Sequence, residues 1–234
     1  WALVTGASSG IGAAIARSFA ARGFGVVLAG RRVEALEALA AEIRAQPSKG
    51  PAMVIATDLA TASGAESLHR EVVSRGVNVA VLASSAGVAW TGEFAQQPVE
   101  NLRSLLSLNV SSTAVLCRLF GSDMVAAGRG RILLVGSVAG LAPGVRGATT
   151  YASSKAFVRS FASGLRGELE PAGVGVTCLM PGATETAFAA ASGMERALCF
   201  NLPFARPVGI VMSASEVGNS GVEAVLRGDD ECIP

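Results

Sequence analysis

Six short apolar runs, at 2–5, 26–29, 53–56, 79–83, 132–135 and 176–179, alternate along the chain with stretches whose apolar residues recur at the helical period, at 11–22, 33–45, 65–75, 102–125 and 152–169. The runs are strand-length and nearly continuous in apolar character, which suits strands covered on both faces. A strand that passes through a helix to the next strand makes a right-handed crossover and so a parallel sheet. The pattern therefore predicts an α/β chain, a doubly wound parallel sheet with helices on both faces. Ser213-Ala-Ser-Glu216 has the spacing of a capping box and predicts a last helix to Arg227, with a final strand at 231–234. No repeat, low-complexity tract or linker interrupts 1–234, so one domain is expected.

Half of the 234 residues are hydrophobic but only 5% are aromatic, so the core must be built mainly from Ala, Val, Leu and Ile. With 19 basic and 18 acidic residues and no block of like charge, the chain has nothing to offer the phosphates of a nucleic acid. Mean hydropathy is +0.48. Yet Gly, Ser or a charge interrupts every window of about 18 residues, so a buried sheet accounts for it better than a membrane span. Cys117, Cys178, Cys199 and Cys232 show no paired spacing and His69 is the only histidine, which supports neither a disulfide framework nor a His-based metal site. A reducing, cytoplasmic setting is expected, with a targeting segment upstream of Trp1 left open.

Several residues stand where chemistry could use them. Thr5-Gly-Ala-Ser-Ser-Gly-Ile-Gly12 joins the first run to the first helix. Its glycines permit a sharp bend and close approach of a ligand, and the helix N-terminus offers N–H groups to a pyrophosphate. The spacing is GxxxGxG rather than GxGxxG, and plain helix-strand packing is the alternative. Tyr151-Ala-Ser-Ser-Lys155 contains the only tyrosine, one helical turn before a lysine whose charge is expected to lower the phenol pKa. A surface tyrosine beside a solvated lysine is the bland alternative. Ser137 follows the run 132–135, either as a turn residue or as a hydroxyl for a carbonyl oxygen. Asn109 shares a helical face with Leu102, Leu105, Leu106, Leu116 and Leu119, either as a satisfied core amide or as a functional one. Asp58-Leu59 could cap the following helix. After the second run comes Gly30-Arg31-Arg32, where a carboxylate for an NAD ribose is missing and two guanidiniums invite a 2′-phosphate, solvation being the alternative.

TGASSGIG, YASSK and Pro181-Gly182, in this order and spacing over essentially the whole chain, resemble the short-chain dehydrogenase/reductase family. The resemblance implies a Rossmann-type sheet of about seven strands and an enzyme with catalytic Asn109, Ser137, Tyr151 and Lys155. Tyr151 would be the acid/base, Lys155 would depress its pKa and bind the nicotinamide ribose, and Asn109 would hold a relay water. Gly6, Ser8, Ser9, Gly10, Ile11 and Gly12 would cradle the cofactor. Asp58 and Leu59 would flank the adenine, while Ala86, Gly87, Pro181, Gly182, Thr184 and Thr186 would lie along the rest of the cofactor. Arg31 and Arg32 favour NADP over NAD. Two departures stand out. Ser85 replaces the family's asparagine before Ala86-Gly87, and thirteen residues separate Ser137 from Tyr151 where the family usually has twelve. The expected substrate is a small carbonyl or alcohol compound with an apolar body, of ketone or 3-oxoacyl type, under a lid at about 183–207. The alternatives are an NAD-dependent sugar or diol dehydrogenase and a non-catalytic nucleotide sensor. Relatives of this kind pair the helices at 102–125 and 152–169, implying a homodimer or homotetramer with no metal and no membrane partner.

Overall fold

The computed structural model describes residues 1–46, 50–141, 144, 146–192 and 211–234, with only the backbone described at 189–191. Its elements in chain order are β1 (Ala2–Thr5), α1 (Gly10–Ala21), β2 (Val26–Gly30), α2 (Val33–Arg44), β3 (Ala52–Ala56), α3 (Gly64–Ser74), β4 (Val81–Ser84) and α4 (Val99–Leu106). There follow α5 (Ser112–Ala126), β5 (Gly130–Val135), α6 (Thr149–Leu169), β6 (Val174–Leu179), β7 (Ala183–Glu185), α7 (Ala187–Ser192), β8 (Val211–Ser213), α8 (Ala214–Arg227) and β9 (Glu231–Cys232).

Seven strands form one sheet in the order β3-β2-β1-β4-β5-β6-β9. Every pairing in it is parallel, Ala2 lying beside Val26 on one side and Val81 on the other. This is the Rossmann-type arrangement. Successive strand residues point to opposite faces. Ala2, Val4, Val26 and Leu28 accordingly pack with Ile15, Phe19, Leu36 and Val217 of α1, α2 and α8. Leu3 and Val27 pack instead with Leu68, Leu116, Phe120 and Val158 of α3, α5 and α6. Burial on both faces explains why the strands read as continuous apolar runs, and each fully buried Leu, Ile or Phe contributes about 1.5–3 kcal/mol. Strand order reverses between β1 and β4, which opens a crevice at the carboxyl ends of the sheet.

Some expectations needed adjustment. The helix expected at 102–125 begins at Val99 and contains a π-helical turn at Ser107–Ser111, where Ser112 N–H reaches back to Ser107 O. The turn inserts one residue into the winding, and Leu106 just before it is 47% exposed although Leu105 beside it is buried. By length and composition alone the 28-residue run Val99–Ala126 could cross a membrane, but Leu116, Phe120 and Met124 on it are buried in the core. Asp58 does not cap α3. Ser63 precedes that helix, and the Asp58 carboxylate instead accepts from Ala60 N–H at 3.0 Å to close a turn. The short parallel ladder β7–β8 joins residues far apart in the chain and was not foreseen. The capping box of Ser213 and Glu216 forms as expected at the start of α8. Of the expected lid, Met194, Leu198, Phe200, Leu202 and Phe204 lie outside the described residues, as does Cys199.

Candidate active site

The glycine turn between β1 and α1 shows why these residues stand there. A Cβ on Gly6 would meet Ala86 Cα at 2.9 Å, and one on Gly12 would meet Gly6 O at 2.4 Å, so strand end and helix start close on each other only without side chains. Ser9 caps α1 without a side-chain hydrogen bond and no acidic residue occupies the first turn, which leaves the helix N-terminus open to an anion. This cradle, kept close by its glycines and positive in dipole, fits a pyrophosphate. Behind it the buried Thr5 hydroxyl accepts from both Ser85 N–H and Ala86 N–H at 3.1 Å, clasping the ends of β1 and β4 together. The residue that makes this clasp was missed in the sequence, where its only signal is a lone polar side chain ending an apolar strand.

Tyr151 and Lys155 lie one turn apart on the buried face of α6, and Lys155 Nζ stands 5.8 Å from the phenol ring centroid. The lysine gives a hydrogen bond to Val135 O at 2.8 Å, at the end of β5. Ser137, two residues beyond that carbonyl, has extended backbone, and its hydroxyl accepts from Ala139 N–H at 3.1 Å. The same hydroxyl lines one cavity with Tyr151 and acts on the phenol in the direction of phenolate. The extra residue before Tyr151 therefore does not separate the two groups.

The expected direction of the Tyr151 shift is reversed. Burial pushes the phenol above its usual pKa, outweighing the hydrogen bond from Ser137, which favours phenolate. Burial acts on Lys155 as well, pushing it down to about 8 against the opposing influence of Cys178.

Asn109 sits on the π-helical turn, 1% exposed. Its Oδ1 accepts from Val88 N–H and its amide donates to Val88 O, both at 2.9 Å, and to Ser154 Oγ at 3.1 Å. The amide is thus a satisfied core group that ties the loop after β4 to α6. Gly87 separates it from the ammonium: a Cβ there would meet Asn109 Oδ1 at 3.3 Å and Lys155 Nζ at 3.7 Å.

A cavity of about 770 Å³ runs along the carboxyl edge of the sheet, and every residue expected at the site lines it except Asn109. At one end lie Arg31, Arg32, Asp58 and Leu59. Arg32 folds back to donate to Ser8 Oγ at 3.0 Å and Ser9 Oγ at 2.6 Å, while Arg31 is exposed and has no partner among the described residues. Ala86 and Gly87 line the middle with Pro181 and Gly182. Thr184 is held by a hydrogen bond to Gly182 O at 3.1 Å, and the Thr186 methyl faces Gly10. The far end is apolar. Phe188 lines it with Val138, Ala139 and Ala148 and lies 6.0 Å from Tyr151, centroid to centroid, while Ala89, Trp90 and Leu105 belong to the core cluster of Tyr151 and do not line the cavity.

A profile of the family described as short chain dehydrogenase matches residues 1–197. A very-long-chain 3-oxoacyl-CoA reductase from Pyrenophora tritici-repentis is 32% identical over 192 residues, which is 80% of this chain and 55% of that enzyme. A short-chain dehydrogenase from Sphingobium yanoikuyae, solved in complex with NADPH, superposes with a TM-score of 0.88 at 33% identity, covering 100% of this chain and 87% of the other. The bulky-bulky ketone specific alcohol dehydrogenase from Comamonas testosteroni gives 0.84 at 30% identity, covering 100% and 85%. The seven-stranded parallel sheet, the glycine cradle and a match over most of the length agree: the chain is an oxidoreductase and belongs to the short-chain dehydrogenase/reductase family.

Proposed function

We propose that the chain is an NADP-dependent reductase of ketones with an apolar body, 3-oxoacyl compounds included, able to run in reverse as an alcohol dehydrogenase. The observation that carries this is the Ser137 hydroxyl and the buried Tyr151 phenol lining one cavity, with Lys155 one turn on, where the carboxyl edge of the sheet meets the apolar side chains of Val138, Ala139 and Phe188.

A bound nicotinamide would supply or accept the hydride. The chain's own groups do the rest. Ser137 and Tyr151 hold the carbonyl oxygen, and the phenol gives its proton to that oxygen as charge develops there. Lys155, fixed by Val135 O, brings positive charge alongside the phenol and a donor for ribose hydroxyls. Asn109 serves as a positioning residue, holding Val88 and Ser154 around the lysine. Arg31 and Arg32, with no carboxylate beside them at the end of β2, suit a 2′-phosphate.

The wall formed by Phe188, Val138, Ala139 and Ala148 favours burial of apolar substrate and would strip water from sugar hydroxyls without replacing it. The substrates printed in the names of the Comamonas and Pyrenophora relatives support the same reading. A panel of apolar ketones, 3-oxoacyl thioesters and free sugars, each offered with NADPH and with NADH, tests it. Ketones or thioesters with NADPH should give the highest kcat/KM. Free sugars with NADH giving the highest would overturn it.

A further inference from the structure

At the substrate end of the cavity the walls come from the loop after β4, through Thr91 and Gly92, and from the loop into α6, through Arg146, Gly147 and Ala148. The loops are joined twice. Gly92 N–H donates to Gly147 O at 2.8 Å, and next to it the Arg146 guanidinium donates through Nη2 and Nε to Glu93 Oε1 at 3.0 and 3.3 Å. Arg146 lines the cavity and Glu93 does not. Tyr151 and Lys155 aside, Arg146 is the one ionisable side chain lining this end among the described residues.

We infer that Arg146 is a specificity-determining residue that binds an anionic group, a carboxylate or phosphate, carried on the substrate at a distance from its carbonyl. A guanidinium has five N–H donors in a fixed fork. Glu93 takes one from Nε and one from Nη2 through a single oxygen, so among the described residues the Nη1 donors and the second Nη2 donor stay open, and these form an edge that matches a carboxylate in two-point fashion. The ion pair thus orients the cation without using it up. Nothing acidic on α6 opposes an anion here, because the first turn of that helix has no acidic residue and its cap at Ala148 makes no side-chain hydrogen bond. The substrate assigned to this end is therefore an oxo compound with an apolar middle and a distal anion. A free oxo acid and an acyl group on a phosphate-bearing carrier share that chemistry.

This inference rests on the proposed reductase activity, and the test separates the two. Laevulinate and longer oxo acids are compared with their methyl esters, and 3-oxoacyl-coenzyme A with the 3-oxoacyl N-acetylcysteamine thioester, which lacks phosphate. Because Arg146 is 91% exposed, water screens the contact and the expected effect is moderate. The acid-to-ester ratio of kcat/KM, or the carrier-to-thioester ratio, should fall about threefold to tenfold in Arg146→Ala and less in Arg146→Lys. It should rise in Glu93→Gln, which removes the competing negative charge. Whichever pair shows the effect identifies the source of the anion. Ratios unchanged in Arg146→Ala, or both members of a pair falling together as loss of a structural link would cause, overturn the inference. Calorimetric binding of a fatty carboxylate and its methyl ester supplies a readout without turnover. Carboxylate binding lost in Arg146→Ala upholds the inference even if no oxo compound is reduced, whereas equal binding of acid and ester to the unmodified protein sinks it.

Discussion

Burial and hydrogen bonding pull the Tyr151 phenol in opposite directions, and burial is the stronger. At neutral pH the group is therefore protonated, the form that carbonyl reduction consumes. We expect the reduction rate to be level through neutral pH and alcohol oxidation, which needs the phenolate as base, to climb through the alkaline range; a pH profile of kcat in each direction checks this. Tyr151→Phe should lower turnover at least about a hundredfold, the scale of general acid catalysis, with cofactor affinity nearly intact by fluorescence titration. Lys155 gives a prediction about stability. Its pKa falls from 10.5 to about 8 on folding. Below pH 8 both states hold the proton and the fold bears the whole cost of a buried charge. Between these two values the unfolded state binds more protons, so stability due to this group rises with pH. Lys155→Met should consequently raise Tm more at about pH 7 than at about pH 10, although it removes activity.

Among the elements, the junction of β1, α1 and β4 has the most at stake. Thr5→Val keeps the shape of the side chain and leaves Ser85 N–H and Ala86 N–H without their acceptor. It should cost about 1–3 kcal/mol in urea unfolding and weaken cofactor binding, with Thr5→Ser restoring both. At the end of β2, Arg32→Ala should weaken NADPH binding about tenfold and leave NADH nearly unchanged, since removal of a charge-assisted phosphate contact costs at least about 1.5 kcal/mol. Equal effects on both cofactors would mean that Arg32 acts only by holding Ser8 and Ser9. The YASSK pair was legible because a spacing of four on a helix is a local property. The partners of Asn109 were not, since they are set by a π-helical turn that leaves the apolar periodicity of the helix looking continuous.

For the whole molecule, the outer side of α6 bears on assembly. Phe157 and Phe161 stack at 5.3 Å and, with Val115 and Leu165, are only partly buried against the core. Covering these groups by a second copy would bury the remaining apolar area. Light scattering at micromolar concentration should return a dimer or tetramer mass, and Phe157→Glu should reduce it; a monomer mass for the unmodified chain would contradict the expectation. The alternation of apolar runs and helical periods determined the parallel sheet by itself. Short motifs likewise marked the glycine cradle, the YASSK face and the capping box, because each depends on neighbours within a turn or two of chain. Only the tertiary structure decided that Ser137 and Tyr151 line one cavity despite an added residue, that Thr5 clasps β4, that Arg32 rather than Arg31 folds over the two serines, and that β7 pairs with β8. It also decided the direction of the Tyr151 shift. Those outcomes depend on contacts between distant parts of the chain and on how much water the assembled fold excludes, quantities that no local run of residues contains.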